Sequence, residues 1–212
     1  MFLRIEAYGL MKSLRDFYFM RAAARQRQHC KNVSISLKNL SYRRKTHMKG
    51  TVVYRSPFGK MQLDWEDGAV TALQLARDGI CEGTPNELTA RVFRQLDEYF
   101  SGTRRTFDFP CRLRGTPFQQ RVWAALRDIP YGETRSYKQL AEAIGRPNAC
   151  RAAGMANHAN PILIAVPCHR VICADGSPGG YAGGTEMKKA LLRLEQTGGA
   201  AAIPSAALVS NV

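Results

Sequence analysis

The chain has 212 residues, 45% hydrophobic and 23% charged, a composition that excludes a disordered or collagen-like protein and suits one or two globular domains. A formal net charge of +14 points to a polyanionic partner, either nucleic acid or an anionic membrane. No run is long and apolar enough for a transmembrane helix, and the partner expected is nucleic acid and no membrane.

Residues 1–47 carry eleven Lys/Arg against Glu6 and Asp16, a net +9 that leaves only +5 for the rest. Their periodicity is weak, and a start-like sequence, MKGTVVYRSPFG, begins at Met48. This basic extension reads as a disordered arm, a transit peptide or a stretch upstream of the true start. The six cysteines, at 30, 81, 111, 150, 168 and 173, form no CxxC pair, and no secretory signal precedes them. Reduced thiols in the cytoplasm are expected, or in the nucleus of a eukaryotic source.

From Met48 the pattern is β. Gly50 to Arg55 and Lys60 to Trp65 flank the turn Ser56-Pro57-Phe58-Gly59, and Ala69 to Ala76 follows Glu66-Asp67-Gly68. Val92, Phe93, Leu96, Tyr99 and Phe100 recur at helical spacing, and Thr106 to Phe109 reads as a further short strand. No catalytic constellation stands out in residues 48–112.

Residues 113–197 are helical. Thr116-Pro117-Phe118-Gln119 and Ser136 with Gln139 are capping boxes; Phe118, Val122, Ala125 and Leu126 share a face, and Gly145 closes the helix that Tyr137 opens. Asn148 is expected to cap a helix reaching about His158, and Thr185 one burying Met187, Ala190, Leu191 and Leu194. Residues 198–212 read as a frayed tail. The expected fold is α+β: a small N-terminal antiparallel β-sheet domain with a helix, then a mostly helical domain containing a helix-turn-helix. The two short helices around Gly-Arg-Pro-Asn also fit an ordinary helical hairpin. The second begins Ala149-Cys150-Arg151-Ala152-Ala153-Gly154, and a small-faced helix with one long cation suits a DNA groove.

Ile164 to Ile172, IAVPCHRVI, sets a thiol, an imidazole and a guanidinium on what reads as a buried strand. A structural thiol at Cys168 leaves His169 and Arg170 unexplained. A zinc site from Cys168, His169, Cys173 and His158 has loose spacing, and adjacent residues on an extended segment point apart. A cysteine hydrolase needs a histidine touching the sulfur. An activated thiolate that accepts an alkyl group needs a base or cation to lower its pKa; His169 acting through a water and oriented by Glu195 would serve.

The ordered set GTPFQQRVW, IPYGETRSY, RAAG, ANP, VPCHRVI, GYAGG and LLRLE, from Gly115 to Glu195, resembles the O6-alkylguanine-DNA alkyltransferases. Residues 48–112 resemble that family's N-terminal domain more weakly. The resemblance implies direct, irreversible alkyl transfer from O6-alkylguanine, and from O4-alkylthymine, to Cys168, once per molecule. It implies that His169 and Glu195 deprotonate the thiol, Asn160 braces the turn, and Tyr137 donates a proton toward guanine N3. Arg151 would fill the gap left by the flipped nucleotide, while Ala149, Ala152, Gly154 and Asn157 would meet the minor groove. Tyr137, Val171, Tyr181 and Ala182 would line the base pocket.

The implied partner is double-stranded DNA bound by a monomer, with no cofactor and no metal. Ala182 stands where many relatives have serine, so reduced activity is expected. Arg170 is expected to anchor backbone or carboxylate. Two alternatives share the scaffold: alkyltransferase-like binders, which replace the acceptor cysteine, and adaptive-response regulators, which add a cysteine-rich zinc domain.

Overall fold

The computed structural model describes residues 47–80 and 82–198; the basic extension before His47, Cys81 and the tail beyond Gly198 lie outside the described residues. Three strands, β1 (Lys49–Ser56), β2 (Gly59–Glu66) and β3 (Ala69–Leu75), form an antiparallel meander. Val52 pairs with Leu63 and Tyr54 with Met61, and Leu63 pairs in turn with Leu73, so the strands' period of two buries one shared face. The second hairpin turns on Asp67 and Gly68, both at positive φ, as a tight two-residue turn demands.

Helix α1 (Glu87–Phe100) starts at a capping box of Asn86 and Thr89 and lays Val92, Leu96, Tyr99 and Phe100 into the core. The expected strand at Thr106–Phe109 is absent. Those residues are irregular because Phe107 and Phe109 turn onto each other, with Phe107 also on the Tyr99 ring, while Cys111 alone bridges to Val70.

Helix α2 (Pro117–Arg127) begins at the Thr116/Gln119 capping box and buries Val122, Trp123 and Leu126. A two-residue strand β4 (Arg135–Ser136) leads into α3 (Tyr137–Ala143) through the Ser136/Gln139 capping box. Helix α4 (Cys150–His158) completes the helix-turn-helix, and the Trp123 indole donates to the Ala156 carbonyl (2.9 Å), tying α4 to α2. Asn148 does not cap α4. Ala149 holds that position without a side-chain bond, because the turn Arg146 to Ala149 is closed by backbone alone. Nor does Thr185 cap α5 (Thr185–Thr197): it is the first helical residue, and Gly184, at φ +86°, takes the cap position.

One contact positions the functional segment. The free edge of β3 receives residues 161–163: the Leu73 amide donates to the Pro161 carbonyl and the Leu163 amide to the Leu73 carbonyl, both at 2.9 Å. The core runs without a break from the sheet to α5, so the sheet is the floor on which the Cys168 segment is built.

Candidate active site

The segment IAVPCHRVI is not a strand. Cys168–Arg170 form one 3₁₀ turn, and only β5 (Val171–Ile172) is extended, parallel to β4. Asn160 causes the turn. Its side-chain amide donates to the carbonyls of Ile162 (3.2 Å) and Val166 (2.7 Å), while its carbonyl accepts from the Ile162 amide (3.1 Å). The loop so clamped holds Ile164 at φ +71°, a left-handed conformation that a β-branched residue adopts only when its surroundings impose it. The same Asn160 amide lies 3.0 Å from the Cys168 sulfur.

A 3₁₀ turn points its three side chains in different directions, which places thiol, imidazole and guanidinium in separate environments. Cys168 is buried, and burial pushes its thiol up to about 11, against the downward pull of the Asn160 hydrogen bond and the Lys188 charge. Burial therefore favours the protonated thiol, which needs a base to become the thiolate. His169 is fully buried and its Nε2 lies 2.8 Å from Glu195 Oε1.

Glu195 collects five donors. Oε1 accepts from Tyr99 (2.7 Å), His169 and Arg170 Nη2 (3.0 Å); Oε2 accepts from Arg170 Nε (2.8 Å) and the Gly132 amide (3.1 Å). Burial alone would raise its carboxyl, but the hydrogen bonds from His169 and Arg170, together with the Arg170 charge, prevail and hold it well below the usual range. An ionised Glu195 requires the proton of His169 on Nε2, which leaves the buried Nδ1, without a partner among the described residues, as the basic lone pair. Burial keeps that imidazole neutral by lowering its pKa.

Arg170 is the anchor of the turn: besides Glu195 it donates from Nη1 to the Ile129 carbonyl (2.5 Å). Lys188 is the residue the sequence did not announce. It is fully buried on α5, it donates from Nζ to the Val171 carbonyl (2.5 Å), and it has no carboxylate partner among the described residues. With Glu195 neutralised by Arg170 and His169 uncharged, Lys188 leaves the site with one uncompensated buried positive charge, an arrangement that favours an anion nearby. Tyr99 was likewise invisible, because it comes from α1, in a half of the chain without any catalytic pattern.

The remaining expected residues are scattered more widely. Tyr137 is half-buried, with its hydroxyl raised by burial and then by the neighbouring thiols of Cys173, Cys168 and Cys150. Arg151 and Ala152 are exposed on α4 and Ala149 is half-buried at its start. Asn157 does not face outward. It sits on the inner face of α4 with Ala153 and Ala156, and its amide reaches the Cys168 carbonyl at 3.4 Å. Gly154 also looks inward, where a Cβ would stand 3.5 Å from the Tyr137 ring.

Of the expected pocket residues, Val171 and Tyr181 are buried, Tyr181 edge-on to the His169 ring. Ala182 is exposed and lines a cavity of about 250 Å³ with Leu75, Arg77, His158, Asn160 and Leu163. A larger concavity, about 970 Å³, lies by Arg55, Lys60 and Ile80, and none of the expected site residues lines it. The four residues weighed for zinc form no ligand cluster; among the described residues His47, Glu66 and Asp67 alone converge, beside Arg112 and Arg114.

Fold and site together set a helix-turn-helix beside a buried cysteine whose neighbouring histidine is hydrogen-bonded to a carboxylate. Two family profiles cover most of the described chain: the 6-O-methylguanine DNA methyltransferase ribonuclease-like domain matches residues 52–113, and the DNA-binding domain of the same family matches residues 117–197. The chain belongs to the 6-O-methylguanine DNA methyltransferase family. It is 48% identical over 148 residues to the methylated-DNA–protein-cysteine methyltransferase of Mycolicibacterium paratuberculosis, covering 66% of this chain and 88% of the relative. The constitutive enzyme of Bacillus subtilis is 44% identical over 153 residues, covering 66% and 92%. A crystal structure of Mycobacterium tuberculosis OGT in complex with DNA superposes with a TM-score of 0.67 at 44% identity, covering 74% of this chain and 98% of that one.

Proposed function

We propose that this protein repairs alkylated DNA by moving an alkyl group from guanine O6, or thymine O4, onto Cys168, once per molecule. The observation that carries the reading is the buried Cys168 thiol, bonded to Asn160 and followed by a histidine whose free nitrogen is made basic by Glu195. The thiol proton passes through a water to His169 Nδ1. The sulfur then attacks the alkyl carbon in line with the C–O bond, a C–S bond forms, and the electron pair of the broken bond stays on O6. Tyr137 protonates N3 of the leaving guanine, and its phenolate recovers a proton from the protonated relay. Restoring the thiol would require a nucleophile to expel thiolate from the new thioether, and thiolate is a poor leaving group from an unactivated S–C bond, so the transfer happens once.

O6 is out of reach inside a stacked duplex, so the nucleotide must be extruded. Arg151, exposed at the start of α4, fills the gap from the minor groove, with Ala149 and Ala152 beside it. Ala182 is assigned to the O6 side of the base, where its backbone amide replaces the hydroxyl of a serine. The chain acts as a monomer, with residues 113–197 carrying the chemistry and residues 48–112 supporting it through β3 and Tyr99. A non-catalytic binder of alkylated DNA would keep the helix but not the thiol.

Incubation with a duplex containing O6-methylguanine, followed by peptide mass spectrometry, should find one methyl group on Cys168 and none on the other cysteines. Cys168→Ala should lose transfer and keep duplex binding. Methyl transfer surviving in that variant, or a methyl group found elsewhere, overturns the assignment.

A further inference from the structure

Helix α4 turns one narrow stripe outward. Arg151, Ala152, Met155 and His158 are exposed, whereas Ala153, Ala156 and Asn157 are buried. Met155 is 69% exposed; among the described residues only Met48 is another large hydrophobic side chain so open to solvent. A single surface hydrophobe needs no explanation in general. Met155 needs one because of its position, one helical turn after Arg151 on the same face, on the stripe read above as facing the minor groove.

Four residues of helix advance about 6 Å along the axis. Successive base pairs are about 3.4 Å apart. With Arg151 at the vacated position, Met155 therefore falls within about two base steps of it. Its neighbours in the stripe are Arg151 and Ala152 on one side and His158 on the other, and its 69% exposure leaves the unbranched thioether clear of the helix. Minor-groove proteins insert apolar side chains of this kind, methionine included, between base steps to unstack and bend the duplex. A flexible, polarizable thioether also fits an irregular gap better than a branched side chain.

We propose that Met155 is a second wedge, packing into a base step beside the gap that Arg151 fills, so that the two side chains together hold the duplex open around the extruded nucleotide. The inference rests on the reading of α4 as the DNA-facing helix. It divides the labour between them: Arg151 replaces the lost base and stays near phosphate charge, whereas Met155 contributes apolar contact alone.

The test uses the full chain with Met155→Ala, Met155→Leu and Met155→Lys. Rates of transfer are measured from an O6-methylguanine duplex and from free O6-benzylguanine, which needs no unstacking. In a Cys168→Ser background, 2-aminopurine beside the lesion reports unstacking by its fluorescence. Met155→Ala should lower the duplex-to-free-base rate ratio about tenfold, the order expected for losing one buried apolar side chain, and should weaken the fluorescence rise. Met155→Leu should keep most of both. Met155→Lys should lower the ratio despite the added charge. An unchanged ratio in Met155→Ala, or a Met155→Lys ratio at or above wild type, overturns the wedge while leaving the repair activity standing. A wild-type protein that transfers no methyl group at all removes the functional reading, and the wedge with it.

Discussion

Arg170 and Arg151 are the same side chain in opposite surroundings. Arg170 is buried, saturated by Glu195 and the Ile129 carbonyl, and cannot be spared from the turn that presents Cys168. Arg151 is exposed, with no ion pair among the described residues. The first has its partner inside the protein, and the second is left for a partner that arrives. On the proposed function, that difference separates the machinery that shapes the thiol from the surface that would find the substrate, and single substitutions should move one without the other.

The largest effect is expected at the buried pair. Glu195→Gln removes the carboxylate that compensates Arg170, and breaking a buried pair costs about 3 kcal/mol or more. For a domain of this size the melting temperature should fall by about 10 °C. The pH dependence follows from the depressed carboxyl of Glu195. A carboxyl with a folded pKa below its ordinary 4.5 adds stability above that pH and loses it as the pH falls through the acid range. Urea titrations at neutral pH and in acid should show the wild type losing stability that Glu195→Gln never had. A variant as stable as the wild type at neutral pH would mean that this pairing does not hold the turn together.

Arg151→Ala should leave the melting temperature within about 1 °C, as expected for an exposed side chain without a partner. Its effect belongs to the duplex. Transfer from O6-methylguanine DNA should slow roughly tenfold or more, because the cost of the unstacked gap is no longer offset, while transfer from free O6-benzylguanine changes little. Equal slowing of both substrates would place Arg151 in the chemistry rather than in the extrusion, and the contrast with Arg170 would collapse.

How far the sequence discloses these two regions follows from the range of the forces that build them. The capping boxes at Thr116 and Ser136 are legible because a side chain three residues away satisfies the helix end. The meander is legible because its turns and alternation are local. The Cys168 turn is not: apolar flanks made it look like a strand, and its actual shape comes from one asparagine bridging two carbonyls. Tyr99 reaches Glu195 across 96 residues of sequence, which no motif spacing encodes. Asn157, expected at the groove from the resemblance, instead lies four residues from the buried Ala153 on the inner face of α4, a placement set by how the helix packs.

Lys188 offers the smallest and sharpest test, because it belongs to the buried region yet is unpaired like Arg151. Its ammonium pulls the Cys168 thiol down, against the burial that pushes it to about 11. Lys188→Met removes that pull in an apolar shape of similar length, so the thiol pKa should rise and thiolate should form less readily. The alkaline limb of the rate of transfer from free O6-benzylguanine should move to higher pH, with severalfold slower reaction at neutral pH, since one pKa unit is a factor of ten. Stability should move the other way or stay level, because an uncompensated buried cation is replaced by a hydrophobe. Slower and no less stable is the signature of a charge kept for the thiolate; a slower protein that is also markedly less stable would make Lys188 a prop for the Val171 carbonyl instead.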